Sequence, residues 1–506
     1  MNFNQTLIKN MTILNHEGAQ AYPMTPEMDL YTAVVTTPLE DMTYEDGSNR
    51  AKRIESLATK VDPQFLAKLA VYARTKMNLR STPLVLLVLL AKTHNGDRLV
   101  ANAVKETVLR ADEIAELLMC WQCFNPVPGH KKLGKLPKGI QNGLKESFNR
   151  FDEYQFAKYN RKDKQVTLKD ALFIVHPKAK DAAQQAIFDK IASGTLETPY
   201  TWETELSALG QQVFETPEAK TLAFRAKWEE LIESRKLGYM ALLRNLRNIL
   251  DAGVGGESIK TVCSILADPF QVRRSKQFPF RFLSAFNEIS RIDSPYTAAI
   301  MTALEKAAEA SAENISGFDF DTRVLDACDV SGSMQRPISQ NSTVQLYDIG
   351  LMLAMLLQNR CKCVTSGMFG DIWKVVGLPG TAILSNVREL RRREGEVGYS
   401  TNGHLVVDYL IENKIKMDKV MLFTDCQMWD SLLGGETLQA SWKKYRRMFP
   451  EAKLYLFDLA GYGQSPVELR KDGVALIAGW SDRVFEILEA LEKGSDAITE
   501  IMKIEL

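Results

Sequence analysis

The sequence predicts a multidomain protein, with an all-α helical-repeat array over residues 1–320 and an α/β, doubly wound domain over residues 321–506. Three observations point there. The chain has 506 residues, 45% hydrophobic and 25% charged, more than one core usually holds and too apolar for a disordered chain. Up to about Gly317, apolar residues recur at spacings of three and four while β-branched alternation is scarce, the period of packed helices. Beyond Ser316 and Gly317, short apolar runs alternate with amphipathic stretches, which is the order of a parallel sheet with crossover helices.

The helical part reads element by element. Asp62 and Pro63 open a helix as cap and first residue, with Phe65, Leu66, Leu69, Tyr72, Ala73 and Met77 on one face. Ser81 and Pro83 start the next, Asn95 and Gly96 end it, Asp97 caps another, and Ala111 with Asp112 reopens helix. Short links between such elements fit stacked helical repeats, although no period is strict. The same order returns in Leu237 to Leu250, in Ser258 to Ala267, after Asp268 and Pro269, and in Phe280 to Ile289. In the second part the expected strands are Arg323 to Cys328, Cys361 to Met368, Lys419 to Thr424, Lys453 to Leu459 and Val474 to Ala478. The expected helices are Val344 to Asn359, Asn386 to Arg393, Asn402 to Asn413, Leu438 to Met448 and Asp482 to Glu492. This alternation makes a doubly wound parallel sheet.

Charge and composition exclude several classes. Lys plus Arg equals Asp plus Glu at 63 each, so no global charge draws the molecule to nucleic acid or membrane, and any such affinity is local. The longest apolar run, Pro83 to Ala91, is far short of the roughly 20 residues that span a bilayer. Met1 to Gly18 lacks the continuous apolar core of a secretory signal. The expectation is a cytoplasmic monomer with no membrane partner. The 7 cysteines fit reduced thiols, and Cys120 with Cys123 follows a run that reads as continuing helix, unlike a redox motif.

The sharpest chemical signal is an Asp-x-Ser-x-Ser run, Asp329, Ser331 and Ser333, directly after a buried strand. The carboxyl edge of a doubly wound sheet is where such folds place their sites. The strand ending at Thr424 delivers Asp425 to the same edge, and Thr401, ahead of the Asn402 helix, adds a hydroxyl. An all-oxygen set suits Mg²⁺ or another hard divalent cation. The simpler reading is a polar turn that caps the next helix. Cys426, beside Asp425, reads as a small core residue.

The second signal is the stretch from Gly129 to Lys180, with 13 Lys or Arg against five Asp or Glu. Its candidate RNA-contacting residues are Lys131, Lys132, Lys135, Lys138, Lys158, Arg161, Lys162, His176 and Lys178. Phe148, Phe151, Tyr154, Phe156, Tyr159 and Phe173 are interleaved, a mixture that neutralises phosphates and stacks unpaired bases. The competing readings are that the phenylalanines at helical spacing are core, that the lysines solvate a helix face, and that His176 ends a helix where the dipole favours it. The Gly129 to Leu136 segment nearly matches a phosphate-binding loop, but Leu136 stands where Ser or Thr holds Mg²⁺ and no strand precedes it, so nucleotide hydrolysis is rejected.

Two family resemblances organise these signals. Asp329, Ser331, Ser333, Thr401 and Asp425 resemble the metal-ion-dependent adhesion site (MIDAS) of von Willebrand factor A domains, over roughly Asp321 to Ile504. The resemblance implies that the five surround an ion whose shell a partner's carboxylate often completes. Tyr72, Arg74, Arg80, Ser81, Pro83, Arg110, Asp112, Glu113, Arg244 and Asn245 stand in runs that resemble the TROVE module of the Ro ribonucleoprotein family, over roughly Tyr31 to Ala308. That resemblance implies a ring of HEAT-like repeats, with small structured Y RNA on its outer surface and single-stranded RNA 3′ ends in its hole. Lys158 and His176 match positions that contact Y RNA in the family. Lys162 departs from it, since the spacing favours Arg there, with Arg161 displaced by one, and an ammonium does not replace a guanidinium fork. Arg244 and Asn245 read as helix packing and capping residues.

The expectation is therefore a non-catalytic, Ro-type RNA-binding protein acting in RNA quality control or ribonucleoprotein assembly. Its expected partners are Y-like RNA, single-stranded 3′ ends, and a 3′ exoribonuclease or other protein ligand at the metal site. The alternative is a Mg²⁺-dependent protein-interaction adaptor on a helical scaffold. No nucleophile with an adjacent base supports an enzyme.

Overall fold

A computed structural model describes residues 12–36, 43–126, 134–161, 163–312, 321–338, 342–429, 436–469, 471–481 and 483–506. The chain forms two compact units, Met1–Lys52 with Trp228–Ile498, and Arg53–Lys227 with Thr499–Leu506.

The second of these units is built from short, separately capped helices. Asp62 accepts from the Gln64 amide at the start of Pro63–Thr75, with Pro63 where its missing N–H costs nothing. Asp97 accepts from Leu99 N at 2.9 Å to start Leu99–Thr107. The helices Ser81–Thr93 and Asp112–Phe124 follow the expected boundaries closely, and Cys120 and Cys123 both lie in the latter, which continues as helix through the pair. Residues quoted for the helical-family resemblance converge here on one ion-pair network. Arg74 reaches Glu113 at 2.8 Å, and Arg80 reaches Asp112 at 2.9 Å. Glu113 is fully buried and also accepts from the amides of Leu109 and Arg110. A buried carboxylate needs this many donors, so these residues act together as a structural clamp between helices.

The other unit joins the helices Tyr239–Asp251, Gly256–Ala267, Pro269–Ser275, Pro279–Ile289 and Thr297–Ala312 to the α/β layer. Glu305 accepts from the amides of Leu384 and Ser385 at 2.9 and 2.8 Å, satisfying the start of the helix Ile383–Arg392. The strands in chain order are β1 Ile13–Leu14, β2 Gln20–Pro23, β3 Arg323–Asp329, β4 Cys363–Phe369, β5 Trp373–Val375, β6 Lys419–Thr424, β7 Lys453–Asp458, β8 Gln464–Ser465 and β9 Val474–Ala478. Six of them form one sheet in the order β5-β4-β3-β6-β7-β9. All its pairings are parallel except the antiparallel edge β4·β5. The five expected strands are all present, and β5 is an addition to them.

The connectivity reverses between β3 and β6, which pair directly with Cys328 opposite Phe423. This is the topological switch point of a doubly wound sheet, so the loops after β3 and β6 diverge and leave a crevice. A small second sheet, β1-β2-β8, is a further addition. It ties the N-terminal segment to the segment after β7. Near it, Arg50 donates to the Ala460 carbonyl at 2.7 Å and Tyr31 to the Ala478 carbonyl at 3.1 Å.

Candidate functional site

The crevice gathers the five predicted metal-site residues. Asp329, Ser331, Ser333, Thr401 and Asp425 are all buried. Asp329 ends β3, and its carboxylate accepts from Ser331 N at 2.9 Å and from the Thr424 hydroxyl at 2.6 Å. The hydroxyl oxygens of Ser331 and Ser333 are 3.2 Å apart. Asp425 accepts from Gln427 N at 3.0 Å, while its other carboxylate oxygen is buried with no hydrogen-bond partner among the described residues. Backbone bonds lock the third loop to the other two: Gly332 N donates to the Tyr399 carbonyl, and Trp429 N to that of Thr401. Cys426 is buried, as expected, and takes a positive φ of 62°. That strained backbone is held by Cys426 N donating to the Thr424 hydroxyl at 3.1 Å.

Burial pushes the carboxyls of Asp329 and Asp425 up, and for Asp329 the charge of Asp425 adds to the shift. Two buried carboxylates disfavour each other's ionisation, and a divalent cation between them reverses that penalty. Among the described residues no group of three or more His, Cys, Asp or Glu is placed so that it could hold a metal ion. The donors in this crevice are two carboxylates with three hydroxyls, a set that fits a hard cation and not a soft one.

The other predicted surface lies in the Arg53–Lys227 unit. Lys131, Lys132 and Lys162 fall outside the described residues. Lys135, Lys138, Lys158, Arg161, His176 and Lys178 are all exposed. Lys158 lies 5.7 Å from the ring centroids of both Tyr154 and Tyr159, and Arg110 stands 4.3 Å over Tyr159. Arg161 is engaged by Asp163 through two bonds of 3.1 and 3.0 Å, so its charge is shared before any ligand arrives. His176 follows the helix Leu168–Val175 in the left-handed conformation, φ 50°, with its amide donating to Leu172 O. It is the helix-ending residue that the simpler reading described, and its ring is exposed, so both readings of it remain compatible with its place.

The aromatics divide. Phe148, Phe151 and Phe156 are buried and pack together, with ring centroids 5.8 Å apart in two of their pairs, while Tyr154 and Phe173 are exposed at 47% and 52%. Tyr159 is half-buried under Arg110, which leaves Tyr154 and Phe173 as the exposed rings among the six. Gln141 donates to the Val175 carbonyl and Asn149 to that of Lys178, which fixes the His176 turn against the helix Lys138–Phe148.

One cationic cleft was not singled out by the sequence. It has a volume of about 320 Å³ between the helices Tyr239–Asp251 and Pro279–Ile289, with Arg244, Arg247 and Arg281 in its lining. Burial lowers the pKa of Arg281, and neighbouring Arg244 lowers it further. The structure separates the two residues read together as packing: Asn245 is buried and donates to Ala241 O at 2.8 Å, whereas Arg244 is exposed at the cleft. Their adjacency in sequence concealed opposite helix faces.

The TROVE domain family matches residues 5–200 and 185–314. The chain is similar to telomerase protein component 1 of Mus musculus, 27% identical over 342 residues covering 53% of this chain, and to that of Rattus norvegicus, 25% identical over 339 residues covering 53%. It spans only 13% of the length of either relative. The solved structure of the Ro (RSR) protein of Deinococcus radiodurans superposes with a TM-score of 0.58 at 17% identity, covering 93% of this chain and 100% of that one. A likeness at that identity is one of fold, helical repeats with a von Willebrand A-like α/β domain.

Proposed function

The chain belongs to the TROVE-domain family, and from that premise we propose that it is a non-catalytic, Ro-type RNA-binding protein. The observation that carries the reading is the exposure, within the one unit, of the cations Lys135, Lys138, Lys158, His176 and Lys178 and of the rings Tyr154 and Phe173, with Lys158 against Tyr154. Exposed ammonium groups release counterions on binding phosphates, and exposed rings stack on unpaired bases, so this surface suits RNA with single-stranded or looped segments. In this reading the surface holds a small structured Y-like RNA, and the helical repeats also take the single-stranded 3′ ends of defective RNA. The protein acts as a cytoplasmic monomer in RNA quality control or ribonucleoprotein assembly. The arginine cleft offers a second place for backbone phosphates.

For the α/β unit the proposal is a divalent cation, Mg²⁺ by its all-oxygen donors, held by Asp329, Ser331, Ser333, Thr401 and Asp425. The ion would supply a fixed positive charge at the sheet edge able to take a carboxylate from a protein ligand, such as an exoribonuclease. A metal-dependent adaptor without RNA affinity is the second reading, favoured by the self-contained geometry of that crevice.

Filter binding of a labelled duplex with a single-stranded 3′ tail, beside the same duplex made blunt, tests the first reading. Tighter binding of the tailed RNA is expected. Equal binding of the two would remove the 3′-end claim, and no binding of either at low salt would leave the adaptor.

A further inference from the structure

The cleft between the helices Tyr239–Asp251 and Pro279–Ile289 lies within one unit, and the three arginines of its lining do not stand alike. Arg247 is 3.5 Å from Asp251, one turn on along its own helix, and so has a counter-charge already. Among the described residues neither Arg244 nor Arg281 pairs with an acid. Arg281 lies instead over the Phe280 ring, 5.3 Å from its centroid, and a stacked guanidinium keeps its N–H edge open to an acceptor. Both side chains are exposed, so a ligand can reach them. They are also close: burial lowers the pKa of Arg281, and the charge of Arg244 lowers it further. Two adjacent cations with no anion between them repel, and an anionic ligand removes that cost.

We propose that this cleft binds a nucleotide by its terminal phosphomonoester, with the phosphate between Arg244 and Arg281. Charge selects the monoester. It carries about −1.5 to −2 at neutral pH, which balances both guanidiniums, whereas a backbone diester carries one charge and balances one of them. Each guanidinium is a planar fork that takes two phosphate oxygens at once. The volume of about 320 Å³ is at the small end of the roughly 300 to 1,000 Å³ of small-molecule sites, room for a single nucleotide and not for a length of chain. Further along the same helix the lining changes sign. Ser284 adds a hydroxyl one turn beyond Arg281, and Glu288 stands two turns beyond it, roughly 10 Å along the helix axis, with Arg291 at 3.9 Å. A carboxylate there repels a second phosphate and accepts from ribose hydroxyls or a base amino group. Asn248 of the facing helix donates to the Asn245 side chain at 2.8 Å, which leaves its own carbonyl as a further acceptor. The cleft thus recognises a phosphorylated end, while the lysine surface neutralises backbone. The inference rests on the RNA-binding reading only for the source of the nucleotide, the end of an RNA strand; a free nucleoside monophosphate offers the same chemistry.

Binding of one short single-stranded RNA to the full chain, prepared with a 5′-phosphate, with a 3′-phosphate and with hydroxyls at both ends, tests this beside calorimetric titrations with adenosine monophosphate and adenosine. One of the phosphate-ended RNAs should bind about tenfold more tightly than the hydroxyl-ended one, the worth of a charge-assisted pair. Arg244→Gln and Arg281→Gln should each bring that ratio near one at an unchanged thermal midpoint, since both side chains are exposed and unpaired with acids. Lys158→Ala should weaken all three RNAs by a common factor and keep the ratio. Adenosine monophosphate bound by the wild type, with adenosine not bound and the binding lost in the arginine variants, makes the free nucleotide a ligand as well. A phosphate preference without it assigns the cleft to the chain end alone. Equal affinity for the three RNAs with no binding of adenosine monophosphate overturns the proposal, as does a preference that persists in the folded arginine variants. If no RNA binds but adenosine monophosphate does, the RNA-binding reading falls and the cleft stands.

Discussion

Asp326 sits in the middle of β3, fully buried, with Ser366 donating to its carboxyl at 2.8 Å. Burial pushes it up to about 8. A carboxyl raised in the folded state keeps a proton that the unfolded chain surrenders near pH 4, so the folded state binds more protons across that window. Its contribution to stability therefore falls as pH rises from about 4 to about 8. Asp326→Asn should flatten this dependence, by up to about 1.4 kcal/mol per pH unit, and make the protein more stable than wild type at pH 8. Urea midpoints at pH 5, 6.5 and 8 check it, and parallel curves for the two proteins would contradict it. At this scale the sequence was legible where residues follow one another: the Asp-x-Ser-x-Ser turn, Thr401 and Asp425 come together as their strands predict. The bonds from Asn15 to the Met428 carbonyl and from Thr43 to the Ser333 carbonyl were not legible, since a contact between distant parts of the chain leaves no local spacing to read.

Among elements, the helix Lys138–Phe148 carries one end of the basic surface and approaches the helix Leu99–Thr107 through two glycines. A Cβ at Gly143 would lie 2.5 Å from the Val104 Cβ and 2.7 Å from the Ala101 carbonyl oxygen, and one at Gly139 would lie 2.7 Å from the Val100 Cβ. Alanine usually gains about 1 kcal/mol over glycine within a helix, but a backbone carbonyl cannot rotate away. Gly143→Ala should therefore be destabilising by about 1 to 3 kcal/mol, read as a lower urea midpoint, and an unchanged or higher midpoint would show that the helices can part freely. The helical period revealed neither glycine, because close approach depends on the partner helix. For the same reason β5 and the β1-β2-β8 sheet escaped notice: strands of two to four residues carry too short a pattern. The five expected strands, β3, β4, β6, β7 and β9, are largely buried runs, and their ends were legible to within two residues.

In the molecule as a whole, the proposed RNA surface lies on the helices of the Arg53–Lys227 unit and the proposed cation crevice in the α/β layer. Added Mg²⁺ should raise the thermal midpoint of the full chain by an increment that grows with the logarithm of free ion over its dissociation constant. Asp329→Ala should abolish that increment and leave RNA affinity nearly unchanged. A mutant that keeps its fold but no longer binds RNA would show that the two sites are one device.

RNA affinity as a function of salt concentration bears most sharply on the RNA-binding reading. Log affinity for a tailed RNA should fall linearly with log salt concentration, and removing one phosphate-neutralising cation should reduce the slope by about 0.7 to 0.9. Replacing Lys135, Lys138, Lys158 and Lys178 together by alanine removes four exposed charges and empties no core. Weaker binding and a slope shallower by roughly 3, at an unchanged thermal midpoint, are the expected result. A folded quadruple variant with the wild-type affinity and slope would contradict it.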